Sequence, residues 1–232
     1  MIKQFSLKKI NNNICKIEEK WFKEHANLYL FGDKNSSLLI DAGLGLFDIK
    51  KFLKNKGFKN IKVALTHAHF DHFGGIKHFS QDEILLTKKM YKNLKDKHLS
   101  GLKFLNSKDF SPKINFSDIK STFQRFSAPI KPKFINNIKI GKLNFKIIKV
   151  PGHTDDSVAY YDGKNGNLVT GDALYNGKIY SNFINSDNKK FKKSLNAISN
   201  LDFDLVFPGH NSIFNKKKAL KIISKWEGCL GK

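Results

Sequence analysis

A dense group of metal-ligating side chains follows the apolar stretch 61–65: His67, His69, Asp71 and His72. Three imidazoles and a carboxylate are costly to bury together unless each polar atom has a partner. Zinc binds imidazole nitrogen and carboxylate oxygen, so it can supply that partner. In an extended chain His67 and His69 would point to one side, because side chains alternate along a strand. We therefore predict a metal site at this cluster.

Three further candidate ligands follow short apolar stretches later in the chain. His153 comes after Pro151-Gly152, Asp172 ends the stretch through Leu168, and His210 comes after Pro208-Gly209. Each lies at the end of a predicted strand, where polar side chains of layered α/β folds often form sites. We predict that they join the first group. The other candidates, in helical or polar contexts, are predicted to be ordinary surface or core residues: His25, His78 and His98.

The elements that must position these residues can be predicted from hydrophobic periodicity and turn residues. Strands are predicted at 27–31, 37–40, 61–65, 83–86, 142–148, 157–161, 168–170 and 205–207, and helices at 49–56, 75–79, 88–97, 191–201 and 217–226. Two β-rich halves with interspersed helices favour two sheets packed face to face, with the helices outside. Residues 37–43 resemble residues 167–173, because each is an apolar strand that ends near an Asp.

We predict one domain, 1–232, with an irregular segment at about 100–136. This segment contains three prolines and several scattered phenylalanines. Two interpretations stay open for it. It could be an insertion that covers the substrate, or a loop that its phenylalanines pin to the core.

The ligand pattern resembles a known family. Residues 66–75, Thr-His-Ala-His-Phe-Asp-His-Phe-Gly-Gly, resemble the HxHxDH signature of metallo-β-lactamase-fold hydrolases. Pro151-Gly152-His153-Thr154, Gly171-Asp172 and Pro208-Gly209-His210 resemble the later motifs of that superfamily in the same order, and Leu39-Ile40-Asp41-Ala42-Gly43 resembles its early motif. The similarity spans about residues 27–215. It implies a four-layer αββα sandwich with a dinuclear metal centre.

The resemblance also implies a role for each ligand. One metal would be held by His67, His69 and His153, and the second by Asp71, His72 and His210. Asp172 would bridge the two metals, and Asp41 would accept a ring N–H from a ligand histidine. Zinc is the expected metal at both positions, with iron or manganese left open because N/O sites do not select by affinity alone.

Two residues are candidates for catalysis. Asp71 would orient the nucleophile and pass its proton on. Tyr175 resembles a tyrosine at the same offset from the bridging Asp in acyl-homoserine lactone lactonases, where it supports the substrate carbonyl. Its alternative interpretation is a packed aromatic ring beside the site.

The predicted function is a dinuclear hydrolase in which a metal-bridging hydroxide cleaves an acyl thioester, ester or lactone. A thioesterase is placed slightly ahead of a lactonase. Glyoxalase II activity is not expected, because only 22 residues follow His210 and that enzyme's C-terminal extension supplies much of its glutathione site. A nuclease or phosphodiesterase, a non-catalytic metal sensor and a structural interaction protein are the remaining alternatives.

Charge and composition limit the partners. The net charge is +22, but Arg125 is the single arginine among 42 basic residues. Arginine is the preferred side chain for reading bases and clamping phosphates, so a nucleic-acid partner is not expected. The positive field would instead attract a small anionic acyl substrate. With no apolar signal segment, no membrane-length stretch and only Cys15 and Cys229, we expect a cytoplasmic protein without disulfides.

Overall fold

The computed structural model describes residues 4–19, 23, 25–101, 107–109, 117, 128–129 and 131–230. Its backbone contacts divide the chain into two compact units. Unit 1 comprises Met1–Ile135 with Ile140–Lys142, and unit 2 comprises Asn136–Lys139 with Leu143–Lys232. Most of the predicted irregular segment at 100–136 lies outside the described residues.

Unit 1 is built on a sheet of seven strands that pair in chain order. They are β1 Phe5–Asn11, β2 Ile14–Glu19, β3 Asn27–Gly32, β4 Ser36–Ile40, β5 Asn60–Ala64, β6 Ile84–Leu86 and β7 Lys133–Phe134. The first four strands are antiparallel, whereas β4 to β7 run parallel to one another. The helices α1 Ile49–Asn55, α2 Phe70–Phe73 and α3 Lys88–Lys95 lie in the connections.

Unit 2 is built on a six-stranded sheet. Its strands are β8 Asn137–Ile140, β9 Leu143–Lys149, β10 Val158–Asp162, β11 Asn167–Gly171, β12 Leu205–Pro208 and β13 Phe214–Asn215. They pair in the order β13-β12-β11-β10-β9-β8. Helices α4 Asn188–Ser199 and α5 Lys216–Cys229 share a buried core with this sheet, in which Phe191 of α4 and Trp226 of α5 pack edge to face.

In each unit, a pair of parallel strands places candidate ligand-bearing segments at the same edge of the sheet. In unit 1, β4 and β5 are parallel, and Asp41 follows the first while His67 follows the second. In unit 2, β11 and β12 are parallel, and Asp172 follows the first while His210 follows the second. Because the carboxyl ends of parallel neighbours meet at one edge, both halves bring an Asp next to a His region. The similarity between residues 37–43 and 167–173 therefore has a structural counterpart.

Most predicted elements are present with shifted ends. The helix predicted at 75–79 is a 3₁₀ segment at Gly74–His78. Helices α1, α3, α4 and α5 begin after Asp48, Thr87, Asp187 and Asn215, whose side chains each accept a backbone N–H of the first turn. The prediction missed the N-terminal hairpin β1–β2, because residues 5–19 mix charged and apolar positions without a clear period.

In the part of the chain that the structure describes, no helix has the length and apolarity needed to cross a membrane.

Candidate metal centre

The first ligand group lies at the carboxyl end of β5. The strand ends at Ala64, the chain bends at Thr66 and His67, and α2 begins after His69. We predicted that His67 and His69 would point to one side because the chain would be extended there. That reason was wrong, because the chain bends at His67. The two rings are nevertheless adjacent, with centroids 4.7 Å apart, and the ring of His72 lies 4.2 Å from that of His67.

A hydrogen-bond network around Asp41 determines which nitrogen of two histidines is protonated. Asp41 accepts from the amide and the hydroxyl of Thr66 at 2.7 and 2.9 Å, and its Oδ2 lies 2.9 Å from Nδ1 of His72. A carboxylate only accepts, so Nδ1 of His72 is the protonated nitrogen. The Thr66 hydroxyl gives its single proton to Asp41 and therefore accepts from Nδ1 of His67 at 3.1 Å. In both rings Nε2 is left with the lone pair that a metal requires.

The loop that carries Asp41 is tightly constrained. Asp41 has a φ of 63°, a left-handed conformation that is uncommon for residues other than glycine. The Ala42 amide donates to the carbonyl of His72 at 2.7 Å. A Cβ on Gly74 would lie 2.1 Å from the carbonyl oxygen of Leu44, so the residue after α2 must be glycine for this approach. The two glycines after the HxHxDH pattern thus let the loop and the ligand helix pack together.

The second ligand group lies in unit 2. One carboxylate oxygen of Asp172 lies 3.5 Å from Nε2 of His153 and 3.2 Å from Nε2 of His210. Nδ1 of His153 lies 2.8 Å from the carbonyl oxygen of Tyr180, so it is protonated and Nε2 again faces the carboxylate. The absence of a side chain at Gly152 lets the backbone of α4 approach closely, because a Cβ there would lie 2.4 Å from the Cα of Phe191.

Tyr175 is a buried ring beside the second group. Its ring packs edge to face against His210 at 5.7 Å and against Trp226 at 5.2 Å. Its hydroxyl donates to the carbonyl of Lys178. The packing agrees with the interpretation as an aromatic support for His210. The catalytic role stays a prediction, and it would require the hydroxyl to leave its bond to Lys178.

Each unit contains a set of side chains of the types that can hold a metal ion. They are His67, His69, Asp71 and His72 in unit 1, and His153, Asp172 and His210 in unit 2. Together the two sets contain all seven predicted ligands. The donors are imidazoles and carboxylates, which suit zinc and other borderline divalent ions. Among the described residues, His25, His78 and His98 belong to no such set.

Glu19, which the sequence did not single out, lies fully buried at the end of β2. Its Oε2 accepts the backbone N–H of Leu44 at 2.6 Å. The pKa of this carboxyl is raised to about 8, mainly by burial and to a smaller extent by the negative charge of Asp71, against the lowering effects of the Leu44 hydrogen bond and of Lys77. Alternation along β2 places Glu19 on the face of the buried Ile17, opposite Lys16 and Glu18, but this strand was not predicted from the sequence and so Glu19 was missed.

Glu19 should make the stability of the metal-free protein depend on pH. The folded state keeps a proton up to pH of about 8, whereas the unfolded chain releases it near the ordinary pKa of 4.5. The free energy of unfolding should therefore fall as pH rises through this range, by about 3–5 kcal/mol in total. Urea titrations of the metal-free protein at several pH values would measure this, with Glu19→Gln showing a flatter dependence. Parallel curves for the two proteins would contradict the prediction.

A family comparison agrees with this geometry. Residues 22–210 match the family model for the metallo-beta-lactamase superfamily. The chain therefore belongs to the metallo-beta-lactamase superfamily, whose members bind metal ions. The predicted family and its αββα fold are confirmed.

Curated relatives have hydrolase names. The chicken (Gallus gallus) protein named acyl-coenzyme A thioesterase MBLAC2 is 22% identical over 96% of this chain and 86% of its own length. A hydroxyacylglutathione hydrolase of Francisella philomiragia is 26% identical over 83% of this chain and 67% of its own length.

Solved structures share the fold. A metallo-beta-lactamase from Pontibacter korlensis has a TM-score of 0.70 at 16% identity and matches 99% of this chain and 100% of its own. The BLEG-1 B3 metallo-beta-lactamase has a TM-score of 0.65 at 24% identity and matches 87% of this chain and 96% of its own. At these identities the likeness concerns the fold alone.

Proposed function

We propose that this protein is a dinuclear zinc hydrolase that cleaves the thioester bond of a small, anionic acyl thioester. The observation that carries the proposal is the set of histidines whose Nδ1 atoms are held by protein groups, which leaves Nε2 for a metal. Asp41 holds His72, Thr66 holds His67 and the Tyr180 carbonyl holds His153. The name of the chicken relative supports the thioester over other acyl bonds.

The resemblance to the superfamily motifs suggests which residues would hold each ion. His67, His69 and His153 would hold one, and Asp71, His72 and His210 the other. Asp172, which lies near two of these imidazoles, would be shared. When bound, such ions lower the pKa of water towards ~7 and polarise a carbonyl oxygen.

Asp71 is the residue proposed to handle the proton. It lies in the first turn of α2 and is 7% exposed, with Oδ2 3.6 Å from Nε2 of His72. From this position one carboxylate oxygen can orient the attacking water while the other stays near the ligand histidine. The proton taken from water would then be available to the departing thiolate, which leaves as a neutral thiol.

The loop between Asp172 and α4 offers a surface for the acyl group. Phe183 packs edge to face on His153 at 5.1 Å, and the neighbouring Ile184 is 68% exposed. Single exposed aliphatic side chains are common, but this one lies in a loop tied to a proposed metal ligand through Ser186, whose hydroxyl donates to the His153 carbonyl at 2.7 Å. The net charge of +22 would draw an anionic thiol portion, such as a coenzyme A group, towards the protein.

A lactonase is the second candidate, because Tyr175 lies against His210. The donation of its hydroxyl to Lys178 makes this candidate the weaker one. A phosphodiesterase and a non-catalytic sensor remain as outcomes of the following test.

A substrate panel with metal removal tests the proposal. Acyl-coenzyme A thioesters, homoserine-type lactones, β-lactams and phosphodiesters would be offered to zinc-loaded protein, chelator-treated protein and protein reloaded with zinc. We expect thioester hydrolysis that falls to background on chelation and returns with zinc, because the ions activate the water. Asp71→Ala should match the chelated protein, whereas Asp82→Ala, at an exposed carboxylate, should match wild type.

Hydrolysis that is insensitive to the chelator would exclude the proposed metal-dependent mechanism. Zinc-loaded protein that turns over none of the four classes would favour the sensor. Faster turnover of lactones or phosphodiesters than of thioesters would replace the proposed substrate class.

A further inference from the structure

Glu19 is a fully buried carboxyl group that has no part in the proposed chemistry. It is the last residue of β2 and is 2% exposed. Among the described residues its Oε1 has no hydrogen-bond partner, and its Oε2 accepts from the Leu44 amide. A buried carboxyl with one hydrogen bond is costly for a folded chain. The hydrogen bond from the Leu44 amide to Oε2 is therefore the contact from which a role for Glu19 can be inferred.

The side chain of Glu19 lies directly behind the loop that carries Asp41. A Cβ on Gly43 would lie 2.3 Å from Oε2 of Glu19, so the carboxyl fits only because this position is glycine, with a φ of 73°. The neighbouring Leu44 amide is then aimed at the carboxyl at 2.6 Å. The carboxyl thus restrains the middle of the loop from the side of β2.

The opposite side of the same loop contacts the ligand helix. Ala42 donates to the carbonyl of His72 at 2.7 Å, and Gly75 donates to the carbonyl of Gly43 at 3.3 Å. Asp41 holds Nδ1 of His72 at 2.9 Å while its backbone is left-handed. Because a left-handed Asp must be held by its surroundings, a restraint on residues 43 and 44 also restrains the Asp41 carboxylate.

We propose that Glu19 is a positioning residue for His72, acting through the loop Asp41–Gly45 by holding the Leu44 amide. The proposal rests on the proposed metal centre, since it treats His72 as a ligand. Loss of this hydrogen bond would let the Asp41 carboxylate move and would weaken the orientation of the His72 ring. Groups that orient metal ligands typically change metal affinity by 10–100-fold.

Metal affinity of matched variants tests this inference without any substrate. The apparent affinity for zinc would be measured by competition with a chelator for wild type, Glu19→Gln, Glu19→Asp and Glu19→Ala. Gln keeps an acceptor for the Leu44 amide, whereas Asp is shorter by about 1.5 Å and cannot reach it. Glu18→Ala is the control, because Glu18 lies on the same strand, is partly exposed and pairs with Lys16 at 2.8 Å.

We expect Glu19→Ala and Glu19→Asp to bind zinc about tenfold more weakly than wild type. Glu19→Gln should stay within about threefold of wild type, and Glu18→Ala should be unchanged. Urea titration would first establish that each variant is folded under the conditions used. If Glu19→Ala does not fold, Glu19→Asp decides the question by the same criterion.

Wild-type affinity in Glu19→Asp would overturn the inference and leave Glu19 with a role in stability alone. An equal loss in Glu19→Gln and Glu19→Asp would also overturn it, because Gln keeps an acceptor for the Leu44 amide and the loss would then not follow that hydrogen bond. Failure of the wild-type protein itself to bind zinc is a separate result, which would remove the proposed metal centre.

Discussion

Replacing Asp172 with Ala should lower the proposed thioesterase turnover of the zinc-loaded protein by about 10³-fold, equivalent to about 4 kcal/mol of activation free energy. The same variant should bind fewer zinc ions per chain than wild type. Steady-state hydrolysis of an acyl-coenzyme A thioester and metal analysis of dialysed protein would measure the two effects.

The reason for this large effect is the position of one carboxylate oxygen. Oδ2 of Asp172 lies 3.5 Å from Nε2 of His153 and 3.2 Å from Nε2 of His210, and the side chain is buried. In the proposed centre this carboxylate would contribute to holding both ions, so its loss would weaken both sites at once. Its negative charge would also offset part of the repulsion between two bound cations.

Asp202→Ala is the matched control for this experiment. Asp202 is a fully exposed carboxylate in the same unit, and its Oδ1 lies 3.6 Å from Nζ of Lys216. Removing an exposed ion pair changes stability by about 0–1 kcal/mol, so activity should be retained. If Asp172→Ala keeps both its zinc content and its activity, Asp172 is not a shared ligand.

Replacing Asp41 with Ala should destabilise the protein by about 3–5 kcal/mol. The carboxylate is 2% exposed and accepts from the amide of Thr66, the hydroxyl of Thr66 and Nδ1 of His72, so its removal strands three buried donors. The left-handed backbone adds about 1 kcal/mol or more, since Ala tolerates that conformation less well than Asp. Urea unfolding of the metal-free variant would measure the loss.

Asp41→Asn separates stability from metal binding. Asn tolerates the left-handed backbone and can still accept from Thr66, so most of the stability should remain. It cannot accept from both Thr66 and His72 as the carboxylate does, so the protonated nitrogen of His72 is no longer determined. We expect zinc affinity to fall by 10–100-fold in a chelator competition. Wild-type affinity in Asp41→Asn would show that the Asp41–His72 contact does not orient the ligand.

The candidate ligands could be predicted from the sequence, whereas the residues that orient them could not. His67, His69, Asp71 and His72 are close neighbours in the chain, and His153 and His210 each follow a Pro-Gly pair after an apolar strand. Such local patterns can be recognised without the tertiary structure, because strands and turns are largely determined by nearby residues. The candidate ligands and the sandwich fold could therefore be predicted, whereas the extended conformation assumed at His67 was wrong because the chain bends before α2.

The residues that orient the candidate ligands are separated from them along the chain, and only the tertiary structure brings them together. Glu19 meets Leu44 across 25 positions, Asp41 meets His72 across 31, and the Tyr180 carbonyl meets His153 across 27. The sequence by itself determined which side chains are candidate metal ligands, because their types and local spacing suffice for that. The protonated nitrogen of His67, His72 and His153 and the burial of Glu19 were decided by tertiary packing, because hydrogen bonding and desolvation depend on neighbours that no local pattern specifies.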